Sequence, residues 1–308
     1  MEHTKSRDII SIKDFSKSEL LNLLDLANKI ENNNPSNLLK GKILANLFFE
    51  PSTRTRMSFE AAMKQLGGNV IGFNEMETTS TAKGESLSDS VKIIEGYCDV
   101  IVLRHFWEGS ARLAAESVSV PVINAGDGAN QHPTQTLLDL YTIKKTKGKL
   151  EDLSICFLGD LKYGRTVHSL AYALSLFNTK MYFVSPPNLK MPDDYISELK
   201  SNGIFCCEDD RLDKLSKELD VIYCTRIQKE RFADPVEYEK VKGFCRLSKS
   251  LLETFGVKED LKILHPLPRV DEIDSSLDDT PYNAYFLQAK NGVPVRKAIL
   301  SSVLETIL

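Results

Sequence analysis

The chain reads as an α/β protein: two doubly wound parallel-sheet domains joined by helices. Three observations predict this. Short apolar runs alternate with helical patterns along nearly the whole sequence, as right-handed βαβ crossovers require. The alternation breaks at the glycine- and polar-rich segment 126–131 (GDGANQ) and then restarts. The length, 308 residues, corresponds to two domains at roughly 100–200 residues each.

The elements follow in order. Asp14–Asn32 is an amphipathic helix with Leu20, Leu21, Leu24, Ala27 and Ile30 on one stripe. Lys42–Phe49 (KILANLFF) is a short apolar run, as a buried strand reads. The segment PSTRTR opens a helix with Phe59, Ala62, Met63 and Leu66 at i, i+3, i+4 and i+7; Gly67-Gly68 ends it. Then come strand 69–73, helix 86–98, strand 99–103, helix 110–117, strand 120–124 and helix 132–145. The second run has strand 153–158, helix 164–177, strand 180–184, helix 192–201, strand 220–224, helix 248–255 and strand 262–264. Val293–Ile307 is a last helix. The break between domains is expected near 132–150. The long polar loop Asn74–Gly84 is of the kind that carries function.

Composition excludes several classes. An apolar fraction of 42% and a charged fraction of 27% are those of a globular protein, not a disordered or fibrous one. With 39 basic against 43 acidic residues, net charge −4, a general nucleic-acid binder is not expected. No stretch approaches 18 apolar residues, so no membrane span is expected. The start MEHTKSRDII lacks an apolar leader region. None of the six cysteines forms a C-x-x-C pair. They read as small buried hydrophobes in a reducing cytoplasm rather than zinc ligands or disulfides. No metal cluster and no cofactor motif is expected.

The chemistry gathers where strands end. After the first strand, Ser52, Thr53, Arg54, Thr55 and Arg56 crowd one helix start with hydroxyls and guanidiniums, beside unpaired backbone N–H groups and a positive dipole end. Everything there donates, as a phosphate requires; the bland alternative is an ordinary cap with solvated arginines. His132 and Gln135 share the first turn of another helix, and His132 reads equally as a cap. Arg104 closes the strand DVIVL, either as a site residue or in a surface ion pair.

The segment 159–166 (GDLKYGRT) differs by one residue from a phosphate-binding G-x-x-x-x-G-K-[ST] loop. Arginine replaces the lysine, and a bidentate fork suits a carboxylate better. Arg226 and Gln228 follow the strand DVIYC, where a charged surface loop is the alternative. Pro266 and Pro268 stiffen the turn after strand KIL, so that it presents backbone carbonyls in a fixed direction. Arg269 is expected to pair with Asp271 or Glu272. Arg54, Lys83, Arg104, His132, Arg165 and Arg226 thus stand in loops at strand ends of a net-negative chain. That implies substrates carrying several negative charges. No G-x-S-x-G and no Cys–His pairing is evident, so transfer between two bound ligands is expected, driven by proximity and oxyanion donors.

Seven ordered motifs carry a resemblance: F-x-x-x-S-T-R-T-R-x-S-F-E, S-T-A-K-G-E-S, R-H-x-x-E-G-x-A, H-P-T-Q-T-L-L-D, G-D-x-x-x-G-R-T-x-H-S, T-R-I-Q-x-E-R and H-P-L-P-R-V-D-E-I. Spread from about residue 44 to 296, they resemble the catalytic chains of aspartate carbamoyltransferases. Ornithine carbamoyltransferases share the S-T-R-T-R and H-P-x-Q elements, but typically have H-C-L-P and a Ser-Met-Gly motif where this chain has His265-Pro266-Leu267-Pro268 and Arg226-Ile227-Gln228.

The resemblance implies a carbamoyl-phosphate domain (1–133, completed by helix 292–308 packing back on it) and an aspartate domain (134–291). It implies phosphate on Ser52, Thr53, Arg54 and Thr55, and the carbonyl oxygen on Thr55, Arg104 and His132. The amide would lie on Gln135 and the backbone of Leu267 and Pro268, and aspartate on Arg165, Arg226 and Gln228. Arg54, Thr55, Arg104 and His132 would be catalytic. Lys83, with Thr79 or Ser80, would enter a neighbouring subunit's site, implying a cytoplasmic homotrimer with shared active sites. It also leaves room for a zinc-containing regulatory chain, which the Glu108-Gly109 stretch would contact.

Overall fold

The computed structural model describes residues 7–73, 84–214, 217–229, 232, 234–244 and 246–305. The chain divides into two compact units, Met1–Leu138 with Asn291–Leu308, and Asp139–Lys290.

In the first unit, α1 (Lys17–Asn33) is followed by β1 (Ile43–Phe48), α2 (Thr53–Gln65), β2 (Asn69–Phe73), α3 (Leu87–Glu95), β3 (Val100–His105), α4 (Ser110–Ser117) and β4 (Val122–Asp127). The four strands form one parallel sheet in the order β2-β1-β3-β4. Side chains alternate across it, as a pleated strand demands. Ala45, Leu47, Ile101 and Leu103 pack on Leu87 and Val91 of α3 and on Ala111 and Ala114 of α4. A capping box starts α1: the Ser16 hydroxyl accepts from Glu19 N, and the Glu19 carboxylate accepts from Ser16 N.

The second unit holds β5 (Ser154–Leu158), α6 (Arg165–Ser175), β6 (Lys180–Val184), α7 (Asp193–Ser201), β7 (Cys206–Asp209), β8 (Val221–Cys224), α8 (Pro235–Val241), α9 (Lys249–Phe255) and β9 (Lys262–Leu264). Its five strands are again all parallel, in the order β7-β6-β5-β8-β9. Cys156, Leu158, Ile222 and Ile263 carry the core on the face that meets Leu247 and Leu252. Two helices pass from one unit into the other, α5 (Pro133–Lys147) and α10 (Tyr285–Val303).

The end of α10 packs on the first unit. Arg296 lies over the Phe59 ring at 5.1 Å, and Lys297 Nζ donates to Asn34 Oδ1 at 3.0 Å.

The sequence reading falls short in several places. β7 is an edge strand of four half-buried or exposed residues, CCED, too short to show a period. α8 sits in a charged stretch, capped by Asp234 with Pro235 at its first position. β4 runs on to Asp127, past the expected end at Asn124. α10 begins at Tyr285 rather than Val293 and carries Pro294 inside it, a residue that normally breaks a helix. Of the cysteines, Cys156 and Cys224 are buried as expected, but Cys98, Cys206 and Cys207 are half-buried.

Candidate active site at the sheet switch points

In a doubly wound sheet the crossovers reverse direction at one point, and loops there splay apart above the carboxyl ends of the strands. In the first unit that point lies between β1 and β3, the central pair, since β2 and β4 flank them. Both neighbouring loops carry predicted site residues.

Ser52 is the N-cap of α2, yet its side chain makes no capping hydrogen bond, and the first turn carries no acid. The N-terminal amides of α2 are therefore uncapped by its own N-cap, with Thr53 and Arg54 exposed and Thr55 buried. Desolvation lowers the Arg54 pKa from its ordinary value. Arg56 turns away and pairs with Glu60 at 2.9 Å, one helical turn on. A helix start without a side-chain cap, with hydroxyls and no acid in its first turn, can accept an anion.

The register sets Arg104 of β3 directly beside Phe48 of β1, and Phe49 N donates to Arg104 O at 2.9 Å. The Arg104 side chain is nearly buried. One guanidinium nitrogen donates to Ala125 O at 3.1 Å, and another stands 2.9 Å from Glu50 Oε2.

His132 is buried at the start of α5, where its carbonyl accepts from Thr136 N at 3.2 Å. Its Nδ1 faces Thr134 Oγ1 at 3.5 Å. Pro133 then opens the helix, where its lack of an N–H costs nothing. Gln135, half-buried, follows in that turn, which holds no acid.

Two residues that shape this region were not singled out from sequence. The buried Asp127 carboxylate accepts from Asn124 Nδ2 (2.9 Å) and Gln131 N (3.1 Å) on one oxygen, and from Gly109 N (2.9 Å) and Asn130 Nδ2 (3.1 Å) on the other. It thereby ties the loop after β3 to the loop before α5. Glu50 is the other, as the partner of Arg104. An acid inside a glycine-rich run and a glutamate before a proline carry no signal beyond turn chemistry.

In the second unit the switch point lies between β5 and β8. α6 also starts without a side-chain cap, at Gly164, and without an acid in its first turn; Arg165 is its first residue. Gly159, at φ 114°, is required by close packing, since a Cβ there would lie 2.2 Å from Thr225 O. The loop after β8 reaches back across this point: Thr225 Oγ1 donates to Asp160 O at 3.3 Å, and Gln228 Nε2 to Tyr163 O at 3.3 Å. Arg165, Arg226 and Gln228 are all half-buried around it. A small pocket opens beside them, lined among others by Leu158, Gly159, Thr225, Ile227 and Glu272.

Leu267 and Pro268 follow the carboxyl end of β9, on the same side of the sheet. Leu267 has φ 58°, and the Leu267–Pro268 peptide is cis. Arg269 does not pair with Asp271 or Glu272. It forms a two-pronged ion pair with Asp278 and donates to Tyr285 Oη at 3.2 Å. Glu272 is taken instead by His265, at 2.7 Å. Burial pushes the Glu272 carboxyl up, but bonds from His265 and from backbone amides outweigh it and hold the pKa below the usual value. Thr79, Ser80 and Lys83 lie outside the described residues.

The chain is similar to known proteins over nearly its whole length. Residues 7–145 match the family described as aspartate/ornithine carbamoyltransferase, carbamoyl-P binding domain. Residues 151–303 match its Asp/Orn binding domain. The aspartate carbamoyltransferase catalytic subunit of Methanocaldococcus jannaschii is 57% identical over 304 residues, covering 97% of this chain and 98% of that protein. That of Methanothrix thermoacetophila is 56% identical, covering 98% and 99%. Among solved structures, the M. jannaschii catalytic subunit superposes with a TM-score of 0.90 at 56% identity, covering 97% of this chain and 98% of that one. Aspartate transcarbamoylase from Trypanosoma cruzi, in complex with carbamoyl phosphate and aspartate, gives 0.90 at 38% identity and 97% of each chain. Uncapped, acid-free helix starts at both switch points and full-length similarity lead to one conclusion: the chain belongs to the aspartate/ornithine carbamoyltransferase family.

Proposed function

We propose that this chain transfers the carbamoyl group of carbamoyl phosphate to the α-amine of L-aspartate, giving N-carbamoyl-L-aspartate and phosphate, a step of de novo pyrimidine biosynthesis. The observation that carries the reading is the pairing of chemistry with topology. The all-donor start of α2 and Arg104 flank the switch point of one sheet, while Arg165, Arg226 and Gln228 flank that of the other. The first set suits a phosphate. The second suits a dicarboxylate rather than the ammonium of ornithine. The names of the relatives support the same substrates.

The phosphate sits on Ser52, Thr53, Arg54 and Thr55. The carbamoyl NH₂ meets Gln135 and the backbone of Leu267 and Pro268, and aspartate is held by Arg165, Arg226 and Gln228. The neutral amine attacks the carbonyl carbon. Negative charge develops on the carbonyl oxygen, and Thr55, Arg104 and His132 stabilise it as preorganised donors. Collapse of the tetrahedral intermediate expels phosphate, which takes the amine proton. Fixing both reactants supplies much of the remaining acceleration. The chain works in the cytoplasm as a homotrimer, with Lys83 and Thr79 or Ser80 completing a neighbour's site. The name catalytic subunit among its relatives supports a larger assembly, and a zinc-containing regulatory chain is the further partner this reading adds.

The test is side-by-side carbamoylation of aspartate and ornithine by the purified protein. Product from aspartate alone is expected. Product from ornithine alone would overturn the assignment of Arg165 and Arg226, and product from neither would overturn the activity.

A further inference from the structure

We infer that His265 and Glu272 are positioning residues that set the selectivity for the carbamoyl amide by holding the Leu267–Pro268 backbone. The inference rests on the reading above, in which that backbone meets the amide.

Leu267 is a non-glycine residue at φ 58°, a conformation leucine seldom adopts unless its surroundings impose it. The surroundings here are a buried polar chain. Leu267 N donates to His265 Nδ1 at 2.8 Å. With Nδ1 an acceptor, the proton of the neutral ring is assigned to Nε2, which donates to Glu272 Oε1 at 2.7 Å. Glu272 also accepts from Val270 N and Asp271 N, each at 3.1 Å. The turn is thus gripped ahead of Leu267 by the imidazole and beyond Pro268 by the carboxylate, and the two grips are bonded to each other.

The pair is itself anchored. His265 N donates to Gln288 Oε1 at 2.7 Å, Gln288 Nε2 to Asp139 Oδ1 at 2.6 Å, and Tyr223 Oη to Asp139 Oδ2 at 2.8 Å. His265, Glu272, Gln288, Asp139 and Tyr223 are all buried. A buried ionisable pair is a poor way to gain stability, because desolvation offsets most of the attraction. It is a good way to fix geometry, because it satisfies only one arrangement. The segment so fixed is the one whose carbonyls would distinguish an NH₂ from a methyl.

The test compares carbamoyl phosphate with acetyl phosphate, in which a methyl replaces the NH₂, and with inorganic phosphate. Wild type, His265→Ala, His265→Asn and Glu272→Ala are assayed for carbamoyl-phosphate KM and for inhibition constants of the other two ligands. His265→Ala and Glu272→Ala should raise the KM for carbamoyl phosphate by roughly 5- to 10-fold, the scale of a lost hydrogen bond, and change the two inhibition constants by less than about 2-fold. His265→Asn, whose Oδ1 restores the acceptor for Leu267 N, should recover most of the loss. A uniform weakening of all three ligands, an Asn variant no better than Ala, or unchanged selectivity throughout would overturn the inference. Should His265→Ala fail to fold, the Glu272→Ala and His265→Asn ratios decide it alone. A wild-type protein that does not use carbamoyl phosphate would overturn the underlying function as well, a result distinct from active enzyme with unaltered selectivity.

Discussion

The Glu50 carboxylate stands 2.9 Å from the Arg104 guanidinium, at the point where the loop after β1 passes the end of β3. With Ala125 O on the other side, Glu50 fixes the direction in which Arg104 presents its remaining donors. Replacing Glu50 by alanine leaves the charge of Arg104 in place but removes an orienting partner. A kcat lower by about 10-fold is expected, less than the loss from Arg104→Ala, because misaimed donors stabilise an oxyanion poorly. Steady-state kinetics with carbamoyl phosphate and aspartate checks it.

Arg54 stands in the first turn of α2, which itself contains no acid. Arg54→Ala should lower kcat by roughly 10²–10³, the scale of removing a transition-state donor. Wild-type turnover in that variant would show that the α2 start does not hold the reacting phosphate.

Tyr223 is fully buried, and its hydroxyl donates to Asp139. Burial, with the Asp139 charge beside it, pushes the Tyr223 pKa well up, so the hydroxyl keeps its proton. Tyr223→Phe takes that donor from a fully buried carboxylate. The expected cost is about 1–3 kcal/mol of stability, measured as a lower urea midpoint at unchanged slope.

His168 is buried on α6, with Nε2 bonded to Leu161 O at 2.8 Å and its ring stacked on Tyr195. Desolvation holds its pKa below the ordinary 6.5, although the bond to Leu161 raises it. Below about pH 6.5 the unfolded chain therefore binds a proton that the folded chain refuses. Stability should fall as the pH drops through 6.5 and level off below the folded-state pKa. In His168→Phe, which keeps a ring against Tyr195, that part of the slope should vanish. Thermal melts from pH 8 to 5 on both proteins check the difference.

The carboxylates act in a lower window. Bonds from the Ser16 hydroxyl and amide, aided by Arg7, bring the Glu19 pKa down to about 2. Ser16→Ala removes the hydroxyl half of that box and should cost about 1 kcal/mol, read as a lower melting temperature at neutral pH.

Much of this protein is legible in its residues. Apolar runs such as KILANLFF and SICFL must be buried on both faces, which makes them interior strands of parallel sheets. The hydroxyls of PSTRTR, with Arg54, Arg165 and Arg226, point to anion chemistry by residue type alone, whereas the pairing of Arg56 with Glu60 does not show in the sequence. Elements without periodicity are not legible: the four-residue edge strand β7, the short α8 and the early turns of α10 are set by neighbours rather than by pattern.

Strand order is the larger omission. Every interior strand looks alike in sequence, so nothing in the residues states that β1 lies beside β3, or β5 beside β8. Tertiary packing decides it, because the reversal of crossovers brings non-consecutive strands together. That decision sets Arg104 beside the start of α2 and the loop of Gln228 across the loop of Tyr163. It also decides the partners of long side chains. Arg269 bypasses its sequence neighbours for Asp278, and the His265 ring donates to Glu272, because a long or buried polar side chain pairs with the acid that the fold places in reach.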